Sequence, residues 1–455
     1  MKRWKPAAQK LPAKAKGHAR FRVRRRALAR AFPSETLIIP AGHEKTRAND
    51  TSWRFRPGSD FYYLTGNQEP DCVLILAPKK GGGHEDILFV EPNPGRKDST
   101  FFTDREKGEL WVGRRLGVDP SRHRYQVDRC EPLPDVAAFI RGAGGRAKKN
   151  IRVLRGLAAD IERLAKTNKK RDAELATRLS ELRLVKDDME VAAIKRACAS
   201  TRRAFDDVVR SLKTAKSERE VEGIFALRAR MEGNDVGYNV IAASGPHACI
   251  LHWNQNDGLL RKRDLVLIDA GVESNEIYTA DITRTLPISG KFTAPQREMY
   301  DLVIEAQNAA IAAVKPGAAF MDPHRAATEV LARGLDRLGL LPMGADEALR
   351  PVNQFYKRYT LHNTSHMLGL DVHDCAHAGP DKYKNGTLEV GMVLTVEPGL
   401  YFQLDDMTVP VRYRGIGIRV EDDVLVTARG CRLLSDLPRQ SDDVERWMKQ
   451  VWRRA

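Results

Sequence analysis

The C-terminal part of this chain contains five residues of the types that bind divalent metal ions: Asp269, Asp281, His366, Glu397 and Glu421. Four carboxylates and one imidazole form an oxygen-rich ligand set, which is too acidic for a structural zinc site and suits two divalent ions that share bridging carboxylates. Two ions about 3.5–4 Å apart can hold and activate one water molecule between them. If the five side chains converge in space, the chain is a metallohydrolase.

The two aspartates lie in neighbouring apolar segments. Asp269 ends the run Leu265–Asp269, and Asp281 lies in a second predicted strand, Glu276–Thr285, after a turn rich in Gly, Ser and Asn. Alone, each aspartate is typical of a turn or a helix cap. Neighbouring antiparallel strands place such carboxylates close together, and two like charges in that position are unfavourable unless a cation neutralises them. The pair therefore favours a cation site.

Glu421 follows another predicted strand, Gly415–Val420. Because strand side chains alternate between faces, the Ile and Val side chains share one face and Arg419 and Glu421 share the other. Gly417 is expected to leave that second face open for a ligand or an ion to approach. The alternative is a half-buried strand with a local contact between Arg419 and Glu421, and this segment by itself does not decide between the two.

Glu397 ends a further apolar run, Met392–Glu397, just before Pro398 and Gly399. A carboxylate against so apolar a run is unfavourable unless it is paired or bound to a metal. This position therefore adds to the case for a buried metal site.

Four of the eleven histidines fall close together, at His362, His366, His373 and His377. The first two have the i, i+4 spacing of a zinc-protease helix, but the three residues between them lack the glutamate that does the chemistry there. Those residues, Asn-Thr-Ser, are also poor helix formers, which favours a loop or a strand. So dense a cluster indicates a functional site, whereas a single histidine such as His252 carries little weight by itself.

The elements that position these residues fall into two predicted domains after a basic tail at residues 1–30. Residues 31–180 predict an α/β domain with short apolar strands and a charged helical stretch near residues 158–183; the strands are Leu37–Pro40, Phe61–Leu64, Cys72–Leu76 and Ile87–Val90. Residues 181–455 predict an α+β domain in which helices pack over a curved mixed sheet. Its helices are marked by Ser217 with Glu220, Thr293 with Gln296, and Pro323 at a first helical position.

The net charge of +16 is concentrated at the N-terminus. The first 30 residues hold 12 Lys or Arg and no acid, and subtracting 12 from 16 leaves +4 for the other 425 residues. Such a segment could contact nucleic acid or an anionic surface, or serve as an Arg-rich organellar transit peptide, although it is poor in Ser. The favoured interpretation is a solvated, partly disordered extension or the start of the first helix.

The bulk composition is that of a soluble cytoplasmic protein. The six cysteines are scattered, without a Cys-x-x-Cys motif or a secretory signal, which predicts reduced thiols and no disulfide framework. No apolar run approaches the roughly 20 residues needed to cross a bilayer. At 455 residues the chain is too long for one ordinary core, so two or more domains are expected.

In these motifs the chain resembles the dinuclear pita-bread metallopeptidases, which include methionine aminopeptidase, prolidase and aminopeptidase P. The five candidate ligands occur in the order, and close to the spacing, of that family's metal ligands. Four segments look most like aminopeptidase P: Phe55–Gly66, His362–Asp374, Val396–Tyr401 and Tyr413–Asp423. The resemblance covers about residues 30–450 and implies an α/β N-terminal domain followed by an α+β pita-bread catalytic domain.

The resemblance also implies roles for the metal ligands. Asp281 and Glu421 would bridge the ions, Asp269 would complete one site, and His366 and Glu397 would complete the other. The ions in such enzymes are usually manganese and sometimes cobalt or zinc. Glu397 would also relay a proton from the bridging water, as suits a general base at the edge of a metal site.

Further residues match the family around the ions. His252, His362 and His373 match residues that orient the substrate and shuttle protons. Arg419 and Tyr238 match groups that hold the ligands in place. Trp111 resembles an aromatic residue that reaches the active site of a neighbouring subunit.

Two departures from the family pattern lie near the site. Asp269 and Asp281 are twelve positions apart, where the family more commonly has eleven, and Asn363 stands where Gly is usual between the two histidines. Either departure could reshape the rim of the pocket, but neither removes a ligand.

The function implied is that of a Xaa-Pro aminopeptidase, which hydrolyses the peptide bond before a penultimate proline. The alternative is a prolidase, which restricts the same chemistry to Xaa-Pro dipeptides. A non-catalytic pita-bread protein, or a metal-independent relative of creatinase, is disfavoured because all five ligands are present. The expected partners are proline-containing peptides and further copies of the chain in a dimer or tetramer, with no membrane and no nucleic acid.

Overall fold

The computed structural model describes residues 11–93, 95–143 and 150–454. The chain divides into two units, of which the first ends at Leu182 and the second begins at Arg183. The boundary expected from the sequence lies between residues 180 and 181.

The described part of the first unit alternates short strands and helices. Its strands are β1 (Thr36–Pro40), β2 (Thr46–Ala48), β3 (Thr51–Ser52), β4 (Val73–Pro78), β5 (His84–Val90), β6 (Arg129–Pro132) and β7 (Ile151–Val153). Its helices are α1 (His18–Ala31), α2 (Ser59–Thr65), α3 (Thr100–Thr103), α4 (Glu109–Val112), α5 (Val118–Tyr125), α6 (Val136–Ala143), α7 (Ala159–Ala165) and α8 (Lys169–Arg183).

Five of these strands form a mixed sheet in the order β6-β5-β4-β1-β7. The pairs β1–β4 and β4–β5 are antiparallel, whereas β7 and β6 join the edges in parallel. The apolar runs of β1, β4 and β5 are buried throughout their centres, since both faces of the sheet are covered. The α/β class predicted for this region is confirmed.

The segment Phe61–Leu64, predicted as a strand, is instead helical and belongs to α2. The helix ends at Gly66, which adopts a left-handed conformation and donates its backbone N–H to the carbonyl of Tyr62. All four apolar side chains are buried. A short helix buried on every side has no polar face, so its sequence carries no helical periodicity.

The basic segment also differs in part from the expectation of a solvated extension. Residues 1–10 lie outside the described part, but residues 18–30 form most of helix α1, so the alternative of a first helix is correct there. Arg25 of this helix is fully buried, and its guanidinium donates to Asp86 Oδ2 at 2.6 Å and to two backbone carbonyls. Part of the positive charge is therefore internal to the first unit.

The second unit contains the remaining elements. Its strands are β8 (Asp235–Val236), β9 (Ile241–Ser244), β10 (Leu265–Ala270), β11 (Val272–Glu273), β12 (Ile282–Pro287), β13 (Val393–Val396), β14 (Gly399–Tyr401), β15 (Gly417–Arg419), β16 (Asp422–Thr427) and β17 (Gly430–Leu433). Its helices are α9 (Asp188–Ser211), α10 (Glu218–Glu232), α11 (Ala294–Ala313), α12 (Asp322–Arg337), α13 (Ala345–Ala348) and α14 (Ser441–Arg453).

Two antiparallel three-stranded groups dominate the second unit, in the orders β12-β10-β9 and β13-β16-β17. Short pairs, β14–β15 and β8–β11, accompany them. Helices α9 to α12 and α14 contribute the aromatic and aliphatic side chains that bury one face of these strands, including Phe205, Phe225 and Trp447. The predicted α+β class is confirmed for this unit.

The helix signals read from the sequence are confirmed at their N-termini. Ser217 caps α10 by accepting from the Glu220 N–H, and Thr293 with Gln296 forms the capping box of α11. The charged helical stretch predicted near residues 158–183 is confirmed, and a break at Lys166, whose φ is 47°, divides it into α7 and α8.

The predicted strand Glu276–Thr285 begins only at Ile282. The backbone before it bonds elsewhere: the Thr279 N–H donates to the Gly369 carbonyl, and the Asp281 N–H donates to Asp423 Oδ2 at 3.1 Å. Ile277 also has a positive φ of 53°. These contacts hold the segment between Asp269 and Asp281, which are twelve positions apart.

All six cysteines lie among the described residues and are free, as predicted. Within the same part of the chain, no helix combines the length and the apolar character needed to cross a membrane.

Candidate metal centre

The two aspartates lie side by side where β10 and β12 pair. Asp269 is the penultimate residue of β10 and is opposite Thr283, and Asp281 immediately precedes β12. The hydroxyl of Tyr238 lies between them: it is 2.7 Å from Asp269 Oδ1 and also within hydrogen-bond distance of Asp281 Oδ1. The antiparallel register therefore brings the two carboxylates together as the sequence analysis expects.

Arg419, on β15, binds the second carboxylate oxygen of Asp269, Oδ2. Its Nη2 donates to Asp269 Oδ2 at 2.6 Å, while Nη1 donates to the hydroxyl of Tyr401 at 2.9 Å. The guanidinium is buried. Arg419 thus pairs with Asp269 across the sheet, rather than with its strand neighbour Glu421.

Glu421 lies between β15 and β16, and its carboxylate is also held by the other group of strands. The hydroxyl of Thr283 donates to Glu421 Oε2 at 2.7 Å, and the Glu421 N–H donates to the Thr283 carbonyl at 3.1 Å. These two bonds join the strand that follows Asp281 to the strand segment that carries Glu421.

His366 and Glu397 approach from the edge of β13. The segment around His366 is extended and runs beside this strand: the Thr395 N–H donates to the His366 carbonyl, and the Glu397 N–H donates to the Thr364 carbonyl at 2.8 Å. His366 Nε2 lies 3.3 Å from Asp281 Oδ2 and 3.5 Å from Glu397 Oε1. The prediction of a loop or strand here, rather than a helix, is confirmed.

The tautomer of His366 suits a metal ligand. Its Nδ1 lies 3.2 Å from the Met367 carbonyl, which can only accept a hydrogen bond, so Nδ1 carries a proton and Nε2 faces the carboxylates. Burial alone lowers the pKa of His366, but the hydrogen bond to Asp281 and the charge of Glu397 outweigh it and raise the pKa to about 9. A proton at Nε2 therefore occupies the position that a cation would take.

The pKa values of three of the buried carboxyl groups are raised, as expected for acids that lie close together without a cation. Burial raises the pKa of Glu397 to about 7, although His366 and Arg419 oppose it. Burial, followed by the charge of Asp281, raises the pKa of Glu421 well above its usual range, and burial also raises the pKa of Asp269. These buried acids repel one another when ionised, and cations between them would remove that cost.

The donor set fits divalent ions. Ligand atoms of Asp281, His366 and Glu421 all lie within 4.8 Å of one another, with Asp269 and Glu397 flanking them through the contacts above. Carboxylate oxygens with one imidazole nitrogen suit manganese, and cobalt and zinc also accept them. The five residues predicted as metal ligands are therefore brought together, and all five line one cavity of about 910 Å³.

The three other predicted histidines line the same cavity. His362 donates from Nδ1 to the Asn363 carbonyl at 2.9 Å, so its Nε2 accepts from the Tyr401 hydroxyl at 2.7 Å. The ring of His373 packs edge-on against that of His366, with centroids 4.3 Å apart. Burial, with Arg419 next in effect, lowers the pKa of His362 to about 4, and burial with His366 lowers the pKa of His373, so both rings are neutral near pH 7.

Two functional neighbours were not assigned from the sequence. Tyr401 links Arg419 to His362 through its hydroxyl, and Thr283 binds Glu421. Tyr401 lies in the segment Val396–Tyr401, which resembles aminopeptidase P. Thr283 is two positions after Asp281, so the two side chains point to the same face of the chain. Alternation along β12 could therefore have indicated Thr283, whereas Tyr401 becomes visible only in three dimensions.

The expected role of Gly417 is wrong. A Cβ built on this glycine would lie 2.2 Å from the Ala248 carbonyl oxygen and 2.8 Å from the Cys249 nitrogen. The missing side chain thus admits another backbone segment, not a ligand or an ion. Asn363, the other departure from the family pattern, is exposed and lines the cavity.

Trp111, which the resemblance connects with a neighbouring subunit, lies on α4 in the first unit. Its side chain is half exposed, and its Nε1 donates to the Phe102 carbonyl at 2.6 Å.

Comparisons with known proteins identify the family of this chain. Residues 192–428 match the model of metallopeptidase family M24, and residues 21–152 match the N-terminal domain of aminopeptidase P. A protein named Xaa-Pro aminopeptidase 1 from Streptomyces coelicolor is 52% identical over 431 residues, covering 94% of this chain and 86% of its own length. The Xaa-Pro aminopeptidase of Escherichia coli is 34% identical and covers 94% of this chain and 97% of its own.

Solved structures show the same relationship. A structure of aminopeptidase P from E. coli with the inhibitor Pro-Leu superposes with a TM-score of 0.84 at 31% identity, covering 97% of this chain and all of the other. A zinc-substituted form of the E. coli enzyme in complex with product gives the same TM-score at 32% identity, covering 96% and 99% of the two chains. The resemblance and the pita-bread fold class are confirmed. The chain belongs to metallopeptidase family M24 and combines its catalytic domain with the N-terminal domain of aminopeptidase P.

Proposed function

We propose that this protein is a metal-dependent Xaa-Pro aminopeptidase, which hydrolyses the N-terminal peptide bond before a penultimate proline. The observation that carries the proposal is the convergence of all five candidate ligands on one wall of a cavity that also presents three histidines. The relatives of highest identity named above are Xaa-Pro aminopeptidases and align over nearly the whole chain.

The residues that would hold two divalent ions are Asp269, Asp281, His366, Glu397 and Glu421. When bound, such ions supply an activated water and a Lewis acid for the peptide carbonyl. Glu397 suits a general base, because its carboxylate lines the cavity beside two histidines, with Oε1 3.5 Å from His366 Nε2 and Oε2 3.5 Å from His362 Nδ1. It would accept the proton of the attacking water and pass it to the leaving proline nitrogen.

The histidines would handle the substrate. His252 and His373 line the cavity, where a ring N–H can donate to the carbonyl oxygen as negative charge develops on it. His362 lies 3.5 Å from Glu397 Oε2 through Nδ1 and is fixed on its other side by Tyr401. Arg419 and Tyr238 would hold Asp269 and Asp281 in orientation, because both donate to those carboxylates.

We propose manganese as the native ion, with cobalt and zinc as alternatives, because four carboxylates make a hard ligand set. Metal-stripped protein titrated with each ion against a Xaa-Pro tripeptide tests both the function and the ion. Activity should return with manganese at an occupancy of two ions per chain. Absence of hydrolysis with all three ions would refute the enzymatic function.

The second candidate is a prolidase, since the same ligand set serves both reactions. The cavity of about 910 Å³ has room for more than a dipeptide, which favours the aminopeptidase. Rates on Xaa-Pro and on Xaa-Pro-Xaa with the same first residue separate the two. Cleavage of the dipeptide alone would establish prolidase activity instead.

We further propose that the protein works in the cytoplasm as a dimer or tetramer, without nucleic acid as a partner. Six free cysteines, five of them buried, suit a reducing compartment. Burial of Arg25 and the pairing of α1 arginines within the first unit reduce the charge available to an outside polyanion. Light scattering at several protein concentrations, with and without added oligonucleotide, checks both statements.

A further inference from the structure

His252 lies on a loop without strand structure that runs from residue 245 to residue 258, between β9 and the approach to β10. After a short 3-10 turn at Gly245–Cys249, this His252 loop has no ladder of backbone hydrogen bonds to fix it. Other side chains must therefore set the position of the histidine in the cavity.

Glu218, the first residue of α10, supplies most of that fixation. Its carboxylate is completely buried and accepts four hydrogen bonds from the loop and its borders. Oε1 accepts from the Ser244 N–H at 2.6 Å and from His247 Nδ1 at 2.9 Å. Oε2 accepts from Trp253 Nε1 at 2.8 Å and from the Gly258 N–H at 2.7 Å. The donors stand at the start, the middle and the end of the loop, and Trp253 adjoins His252.

A metal ion is a competing explanation for this cluster. Ligand atoms of Glu218, His247 and Asp257 lie within 4.8 Å of one another. However, an ionised carboxylate offers about four lone-pair positions, and all four on Glu218 already accept an N–H. Trp253 and the two backbone groups cannot turn away to release them, so the cluster is a hydrogen-bonded anchor.

The far side of the loop contacts the metal centre directly. The Leu251 carbonyl accepts a long bond, 3.4 Å, from Arg419 Nη2. Ala248 and Cys249 pack against Gly417, on the strand that carries Arg419. The side chain of Asn256 ties the loop to β9 by binding the Ala242 N–H and the Val240 carbonyl. A shift of the loop would consequently move His252 relative to the ligands.

We infer that Glu218 is a positioning residue for the peptidase reaction, which holds His252 at the substrate by anchoring the loop at three points. The inference rests on the proposed function for its kinetic consequence, but the geometric part does not. Glu218 itself is not a member of the metal site and does not line the cavity.

The test is the substitution E218Q, which preserves size but replaces one acceptor oxygen by an N–H₂ donor. Two of the four N–H groups that Glu218 accepts from would then face the amide N–H₂ of the introduced glutamine instead of an acceptor oxygen, so the loop must move. A misplacement of about 1 Å at a catalytic group costs about 100-fold in rate, and we expect kcat/KM on a Xaa-Pro tripeptide to fall by that order. The number of manganese ions bound per chain should stay at the wild-type value.

A double-mutant cycle with H252A separates positioning from general stability. If Glu218 acts through His252, E218Q should lower kcat/KM only slightly in the H252A background. The two single variants should also distribute their loss of kcat/KM between kcat and KM in the same proportion. Additive losses, or an E218Q variant as active as wild type, would overturn the inference. The matched control is E190Q, because Glu190 is also buried and accepts from the Tyr278 hydroxyl and the Asp187 N–H, away from the loop.

A crystal structure of the E218Q variant tests the geometry without any assay. We expect the His252 side chain to move by about 1 Å or more while the five metal ligands stay in place. A His252 loop unchanged from wild type would overturn the inference even if the proposed function stands. Conversely, a displaced loop in a protein with no peptidase activity would support the anchor and refute the proposed function.

Discussion

Tyr238→Phe is the sharpest test of the metal centre. The change removes one hydroxyl and keeps the ring. That hydroxyl lies within hydrogen-bond distance of Asp269 Oδ1 and Asp281 Oδ1 and can donate to either. It is one of the groups that lower the pKa of Asp269, against burial, which raises it. Metal binding requires both carboxylates to be ionised, so losing the donor should weaken the binding of the ions.

The size of the effect follows from the number of protons available. A tyrosine hydroxyl has one proton and can donate to one carboxylate at a time, so a single hydrogen bond to a charged group is lost. Such a bond contributes about 1.5–3 kcal/mol. This range corresponds to about a 10- to 150-fold increase in the dissociation constant for the weaker ion, in line with the effect of removing other groups that orient metal ligands.

The assay is a manganese titration of stripped protein, followed by calorimetry and by activity. Activity at saturating manganese should recover most of the wild-type value, because the ligands themselves are intact. Tyr278→Phe is the matched control, since that hydroxyl donates to Glu190 at 2.8 Å, outside the cavity. Unchanged manganese affinity in the Tyr238 variant, or equal weakening in both variants, would refute the reasoning.

Three further predictions follow from pH, charge and packing. The pKa of Glu397 in the metal-free protein is about 7, against a usual value of 4.5. The folded state therefore binds the Glu397 proton more tightly than the unfolded state does, and the stability that this proton contributes is lost as pH rises from about 4.5 to about 7. The gap in melting temperature between manganese-loaded and chelated protein should therefore widen over that range, and a narrowing gap would contradict the assignment. Lys186→Met should lower the free energy of unfolding in urea by about 1.5–3 kcal/mol, because buried Lys186 lies 3.1 Å from buried Asp374, which keeps Arg183 as its other partner. The exposed Lys195→Met should change little. Gly417→Ala should lower the free energy of unfolding by about 1–3 kcal/mol and displace the strand that carries Arg419. Gly223→Ala is the control and should be tolerated, because nothing lies within 4 Å of the new Cβ. Equal effects of the two substitutions would argue against the close backbone contact at Gly417.

Two of the five proposed metal ligands could be predicted because each ends an apolar strand. Asp269 follows Leu265–Ile268 and Glu397 follows Met392–Val396, so a carboxylate breaks each run where burial still holds. That conflict between local polarity and burial is visible in one dimension. The order and spacing of the ligands then carried the family resemblance.

Other features depend on contacts that no local pattern encodes. The segment Phe61–Leu64 is apolar at every position, so it lacks the periodicity that separates a helix from a strand. A glycine at position 417 is compatible with the close approach of a ligand or of the Ala248 backbone, and the sequence does not distinguish the two. Glu218 is 26 to 40 residues from the groups it binds, and at the first turn of a helix it is indistinguishable from an ordinary acidic residue near an N-terminus.

The join between the two groups of strands has a consequence for the order of events during synthesis. Thr283 binds Glu421 across 138 residues, and Arg419 binds Asp269 across 150. A growing chain can therefore form the Asp269–Asp281 pair long before its last ligand leaves the ribosome, and closing so long a loop is the slow step for contacts of this kind. The complete set of proposed metal ligands would therefore exist only after Glu421 has been synthesised and has docked against Thr283, so a chain that ended before residue 421 would lack one of them.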